Sequence, residues 1–79
     1  MADKIQLIWD FRGRTAQGTA EHQSRHLAEF ARREHVEISG TGAEALSESH
    51  WIAWMVVDGA DVERLRAALR PNRGLPAQK

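Results

Sequence analysis

Two histidines four residues apart, His22 and His26, form the pair whose spacing most directly suggests chemistry. Residues four apart on a helix share one face, and two imidazoles so placed can bind one metal ion. The segment reads His-Gln-Ser-Arg-His, so the general-base glutamate of a His-Glu-x-x-His metalloprotease is missing. Glu29 is a candidate third ligand, while Arg25 and Arg33 make the surroundings less favourable to a cation. Metal binding through His22 and His26 is therefore a secondary expectation, set against an ordinary solvated helix face.

Asp10 and His50 are the candidate acid–base residues if the protein is an enzyme. Asp10 lies late in a first strand and His50 just before a third. A parallel pairing of those strands puts the two at opposite ends of the sheet, where they meet only across a dimer. The plainer readings pair Asp10 with Arg12 or Arg14 and leave His50 at a strand edge. Arg12, Gly13, Arg14, Thr15 and Gly18 form a basic, glycine-containing approach to a helix, the type of place where backbone N–H groups can hold an anion. Neither the phosphate-loop ending Gly-Lys-Ser/Thr nor Gly-x-Gly-x-x-Gly is present. Arg12 and Arg14 are thus candidate ligand-binding residues, with a turn and a helix cap as the bland alternative. No nucleophile–base set is legible, and no cofactor is expected.

These side chains must be positioned by few elements, because the chain has 79 residues and no cysteine. One domain is expected, and a domain of this size buries only about 60% of its unfolded surface. Small cores rarely contribute more than about 3–5 kcal/mol of net stability. Disulfides and cysteine-based metal or redox sites are excluded, which leaves oligomerisation or a ligand as support. Eleven basic and eleven acidic residues cancel, so nucleic acid and anionic membranes exert no general attraction. After Glu63 every charge is basic (Arg64, Arg66, Arg70, Arg73, Lys79), a tail read mainly as solvated. No apolar run reaches the ~20 residues of a bilayer span, and Met1-Ala2-Asp3-Lys4 is not a signal peptide. The expectation is a soluble, cytoplasmic protein.

Ile5, Leu7, Trp9 and Phe11 alternate with Gln6, Ile8, Asp10 and Arg12, the period of a strand with one apolar face. A helix from the N-cap Thr15 to His35 follows, with Ala16, Ala20, Leu27, Phe30 and Ala31 as its buried stripe. Val36 to Ser39 open a second strand, loosened by Gly40 and Gly42, and Ala43 to Ser49 read as either more strand or a hairpin loop. Trp51-Ile52-Ala53-Trp54-Met55-Val56-Val57 is apolar on both faces, as in a central strand covered on two sides. Asp58-Gly59 leads to a second helix, Ala60 to Arg70, buried through Val62, Leu65 and Leu69 and stopped by Pro71. Residues 71–79 form a short tail or an edge strand around Leu75, beyond a single domain over 1–70.

The order strand, helix, strand, strand, helix, with a possible last strand, is the ferredoxin-like βαββα(β) pattern of an α+β protein. It implies an antiparallel sheet with the first and third strands central and two helices on one face. Covering the other face needs a second copy of the chain or a ligand, and Trp51, Ile52, Trp54 and Val56 are the candidate interface. RNA-recognition motifs share this order but stack bases on aromatics at alternate positions of one face. Trp51 and Trp54 are three apart and point to opposite faces, so nucleic acid is not an expected partner.

Residues 50–70, from Ile52-Ala53-Trp54-Met55-Val56-Val57-Asp58-Gly59-Ala60-Asp61-Val62 to Leu65 and Leu69, resemble the second half of small dimeric α+β-barrel proteins. Trp9-Asp10-Phe11-Arg12-Gly13 is similar to a segment of a small bacterial family. The barrel resemblance implies two ferredoxin-like subunits packed sheet to sheet around a cavity, in a group that includes monooxygenases, isomerising and decyclising enzymes and stress proteins. This chain is shorter than most members, with a tail where they carry a full fourth strand. The expected function is a non-catalytic homodimeric ligand-binding or interaction module. An enzyme of the barrel type is the alternative, with Asp10, His50 or Trp54 lining a cavity for a hydrophobic or aromatic molecule between subunits; the ligand expected of a binding module is a small hydrophobic or anionic molecule.

Overall fold

The computed structural model describes residues 3–77. Met1, Ala2, Gln78 and Lys79, which entered the leader and tail readings, lie outside the described residues. The alternating segment forms strand β1, Lys4–Arg12. Gly13 turns the chain at φ 102°, a conformation that costs glycine little. Helix α1 spans Ala16–Arg33. Thr15 occupies its N-cap position, but with φ −95° and ψ 9° its side chain makes no capping hydrogen bond; hydroxyl capping needs an extended residue there. The helix stops short of His35, which adopts φ 58° while the Val36 N–H donates to the Ala31 carbonyl at 2.9 Å. That left-handed residue closes the helix as glycine more often does.

Strand β2, Ile38–Ser47, takes up most of the segment that read as strand or loop. Its pairing slips between Ile38 and Gly40 and between Ala45 and Ser47, two irregularities of the β-bulge kind. Only Glu48 and Ser49 connect it to strand β3, His50–Asp58. A 3-10 turn over Gly59–Asp61 precedes helix α2, Val62–Leu69, so the second helix is shorter than its sequence pattern. Arg70, at φ 52°, and Pro71 end it. The tail contributes a short edge strand, β4, Arg73–Pro76. No helix among the described residues is long and apolar enough to cross a membrane.

The protein is α+β, with a four-stranded sheet in the order β2-β3-β1-β4 and every neighbouring pair antiparallel. The parallel pairing expected for β1 and β3 is thereby corrected: they run antiparallel, from Lys4 opposite Asp58 to Arg12 opposite His50. The cause is local. A two-residue turn forces β3 to reverse against β2, the α1 crossover returns β2 parallel to β1, and β3 lies between the two.

Residues opposite one another on paired strands share a face. Ile5, Leu7, Trp9 and Phe11 therefore stand with Val57, Met55, Ala53 and Trp51. Leu7, Trp9, Ala53, Met55 and Val57 form one buried cluster with Leu27 and Ala31 of α1, Val36, and Leu65 of α2. Phe30, Val62 and Leu69 pack against it, so both helices contribute their expected stripes to this face. Trp9 Nε1 donates to the Leu69 carbonyl at 2.9 Å and ties the end of α2 to β1.

Leu65 is fully buried as α2's anchor in that cluster. Leu65→Ala should cost about 2–5 kcal/mol, read as a lower urea midpoint with an unchanged slope. Leu46→Ala, at a position 49% exposed, should stay within about 0.5 kcal/mol of wild type.

Candidate functional site

The other sheet face presents Lys4, Gln6, Ile8, Asp10 and Arg12 of β1 beside Asp58, Val56, Trp54, Ile52 and His50 of β3. Gly40, Gly42 and Glu44 of β2 and Arg73 and Leu75 of β4 extend these rows. Ile8 and Ile52 are only 3% and 5% exposed although they lie outside the helix-side cluster. Trp54 lies over β2: a Cβ built on Gly40 would stand 3.4 Å from its six-membered ring, and one on Gly42 would stand 3.2 Å from it. The two glycines form a shelf that lets the indole rest on the neighbouring strand. Trp51 falls on the helix-side face, opposite Phe11, so of the four candidate interface residues only Ile52, Trp54 and Val56 lie on this face, with Ile52 itself buried.

A polar cluster borders this apolar floor. Asp10 and His50, expected apart within one chain, are in contact, because antiparallel pairing brings the late end of β1 against the start of β3. His50 Nε2 lies 2.7 Å from Asp10 Oδ1. Arg73 grips the same carboxylate with both arms of its guanidinium, Nη2 to Oδ1 at 2.9 Å and Nε to Oδ2 at 3.1 Å. The Asp10 backbone N–H donates to Asn72 Oδ1 at 2.7 Å. Hydrogen bonds from Arg73 and then His50 hold the Asp10 carboxyl below the usual carboxylate value, against the opposing effect of partial burial. An ionised carboxylate only accepts hydrogen bonds, so His50 Nε2 carries the proton. In the neutral ring Nδ1 is left with a lone pair, a possible base or acceptor. At the far corner Lys4 Nζ donates to Asp58 Oδ1 at 2.8 Å, a bond that raises the lysine's pKa.

His22 and His26 are brought together on the outer surface of α1, with their Nε2 atoms 2.9 Å apart. Among the described residues, no group of three or more His, Cys, Asp or Glu side chains is placed to hold a metal ion. Arg12 and Arg14 are exposed, and neither pairs with Asp10, whose cationic partner is Arg73. A separate open hollow at the end of α2 is lined by Glu63, Arg66, Ala67, Arg70 and Pro71.

Two functional features escaped sequence reasoning. Arg73 was one cation of the basic tail, and no periodicity marked it; only the β1–β4 register aligns it with Ile8, beside Asp10. The Gly40 and Gly42 shelf did leave a signal, since glycines two apart on a strand face the same way. Comparison with protein-family models, curated proteins and solved structures found no match.

A carboxylate whose pKa is lowered by folding stabilises the fold above its unfolded value, about 3.9, and loses that contribution as pH falls through the folded value. Wild type should therefore lose stability below about pH 4. Asp10→Asn should be less stable at pH 7 and show a flatter acid limb, read from urea midpoints measured from pH 7 to pH 3. An unchanged acid limb in the variant would assign the effect to other carboxylates.

Proposed function

We propose that this chain is a non-catalytic interaction module that pairs with a second copy of itself through the uncovered sheet face. The observation that carries this reading is the apolar patch of half-buried Trp54 and Val56 with exposed Leu75, seated over buried Ile8 and Ile52, on the side of the sheet away from both helices. The charges around that floor favour a like partner. Lys4, Arg12 and Arg73 offset Asp10, Glu44 and Asp58, so two copies can approach without like-charge repulsion. A two-fold contact presents the same patch twice, and sheets stack face to face at about 10 Å. The size of the chain agrees with this, since a core this small gains from oligomerisation. The central, antiparallel placement of β1 and β3 supports a ferredoxin-like arrangement, and sheet-to-sheet pairing supports the likeness to dimeric α+β-barrel proteins.

The contact between Asp10 and His50 favours a second reading, an enzyme with a cavity between the two subunits. Asp10 orients the imidazole in such a site, His50 Nδ1 faces the cavity as base, and Trp54 supplies an aromatic wall for a hydrophobic or aromatic substrate. The two readings differ in what fills the interface: packed side chains for the module, an enclosed polar-rimmed space for the enzyme.

Sedimentation equilibrium of the wild type should give a dimer. Trp54→Asp should shift it to monomer. Leu75→Glu, at an exposed position on the same face, should weaken the dimer while leaving the far-ultraviolet circular dichroism unchanged. A wild type that stays monomeric at every concentration would overturn the pairing.

A further inference from the structure

The outer surface of α1, on the opposite side of the sheet from the proposed interface, carries a second arrangement independent of that reading. His22 and His26 are both exposed, and their rings meet edge to face with centroids 4.4 Å apart. Their Nε2 atoms converge at 2.9 Å. We propose that these two imidazoles form a clamp for one divalent transition-metal ion of the copper, nickel or zinc type.

Metal–imidazole bonds of about 2.0–2.1 Å set two nitrogens about 2.8–3.0 Å apart at the right angle of tetragonal copper or nickel and about 3.3–3.4 Å apart at the tetrahedral angle of zinc. The 2.9 Å separation of the pair already matches the right-angle case, and the tetrahedral case needs the two surface side chains to part by roughly half an ångström. Without metal, one ring donates its Nε2 proton to the other; when the ion enters, that proton transfers through solvent to the donor ring's own Nδ1, and both Nε2 lone pairs face the ion. Glu29 Oε1 stands 3.9 Å from His26 Nδ1. By closing about 1 Å it would accept that N–H and fix the metal-binding tautomer, as outer carboxylates do around zinc histidines.

The neighbourhood leaves the clamp accessible. Gly18, one turn before His22, adds no side chain above it. Arg33, one of the two arginines (with Arg25) that the sequence pattern set against a cation here, is engaged elsewhere: its guanidinium lies 5.5 Å from the Phe30 ring centroid, and its Nε is 3.4 Å from Glu34. Two imidazoles suit copper above nickel and zinc and have little use for calcium or magnesium, which seek oxygen ligands. Because the pair supplies two ligands, the remaining positions are open to water or to a donor from another molecule.

Calorimetric titration of the untagged chain with copper, nickel, zinc and magnesium chlorides, in a non-chelating buffer near neutral pH, tests the proposal. One copper ion should bind per chain, nickel and zinc more weakly, and magnesium not at all. His22→Gln and His26→Gln retain side-chain length and helix propensity, and each should weaken binding at least about tenfold. His35→Asn, at a position whose left-handed backbone asparagine tolerates, should bind as wild type does. At free ion about 100 times the dissociation constant, the thermal midpoint should rise by about 10–20 °C, and this rise should vanish in both glutamine variants. No uptake by wild type, or uptake unchanged in His22→Gln and His26→Gln, overturns the clamp whatever the oligomeric state proves to be.

Discussion

The antiparallel register of β1 against β3 is the constraint on which the rest of the molecule depends. Nine residue pairs, from Lys4 with Asp58 to Arg12 with His50, divide the two central strands into odd positions on the helix side and even positions on the other. A slip of one residue would turn one strand over against the other, setting Ile8 beside Met55 under the helices and Leu7 on the outer face with Val56. The same register brings the acidic end of β1 to the histidine that opens β3. Core, uncovered floor and polar rim therefore share one hydrogen-bond ladder.

Much of this was legible in the chain. Ile5, Leu7, Trp9 and Phe11 face the core because strand side chains alternate, and Leu27, Ala31, Leu65 and Leu69 reach it because helical spacing gathers them on one side. Both periodicities are local, and local patterns survive without knowledge of the partner strand. The two-sided character of Trp51 to Val57 pointed correctly to a central strand with Trp51 and Trp54 on opposite faces. Grouping both tryptophans in one interface ignored that alternation.

What failed to show depended on contacts distant in sequence. Asp10 and His50 are 40 residues apart, and Asp10 and Arg73 are 63 apart. Their meeting follows from strand direction, which no single segment encodes. The direction could have been inferred from connection lengths: a tight turn reverses a strand, whereas a helical crossover restores its sense. The α1 boundary missed for a different reason. His35 takes a left-handed conformation that its residue type permits without demanding, so the stopping point is set by the Val36 N–H reaching back to Ala31.

The edges of the sheet bear on how far association can proceed. β2, on one side, is interrupted by two register shifts, which spoil it as a template for another strand. β4, on the other, has four residues and ends in Pro76, which has no backbone N–H to donate. Neither border invites lateral extension into a continuous ribbon. The proposed stacking through the floor would consume it on both partners at once, and the opposite side of each sheet is already roofed by helices. Assembly by this route would be self-limiting: it would close at a pair and offer no growing end from which a fibre could lengthen.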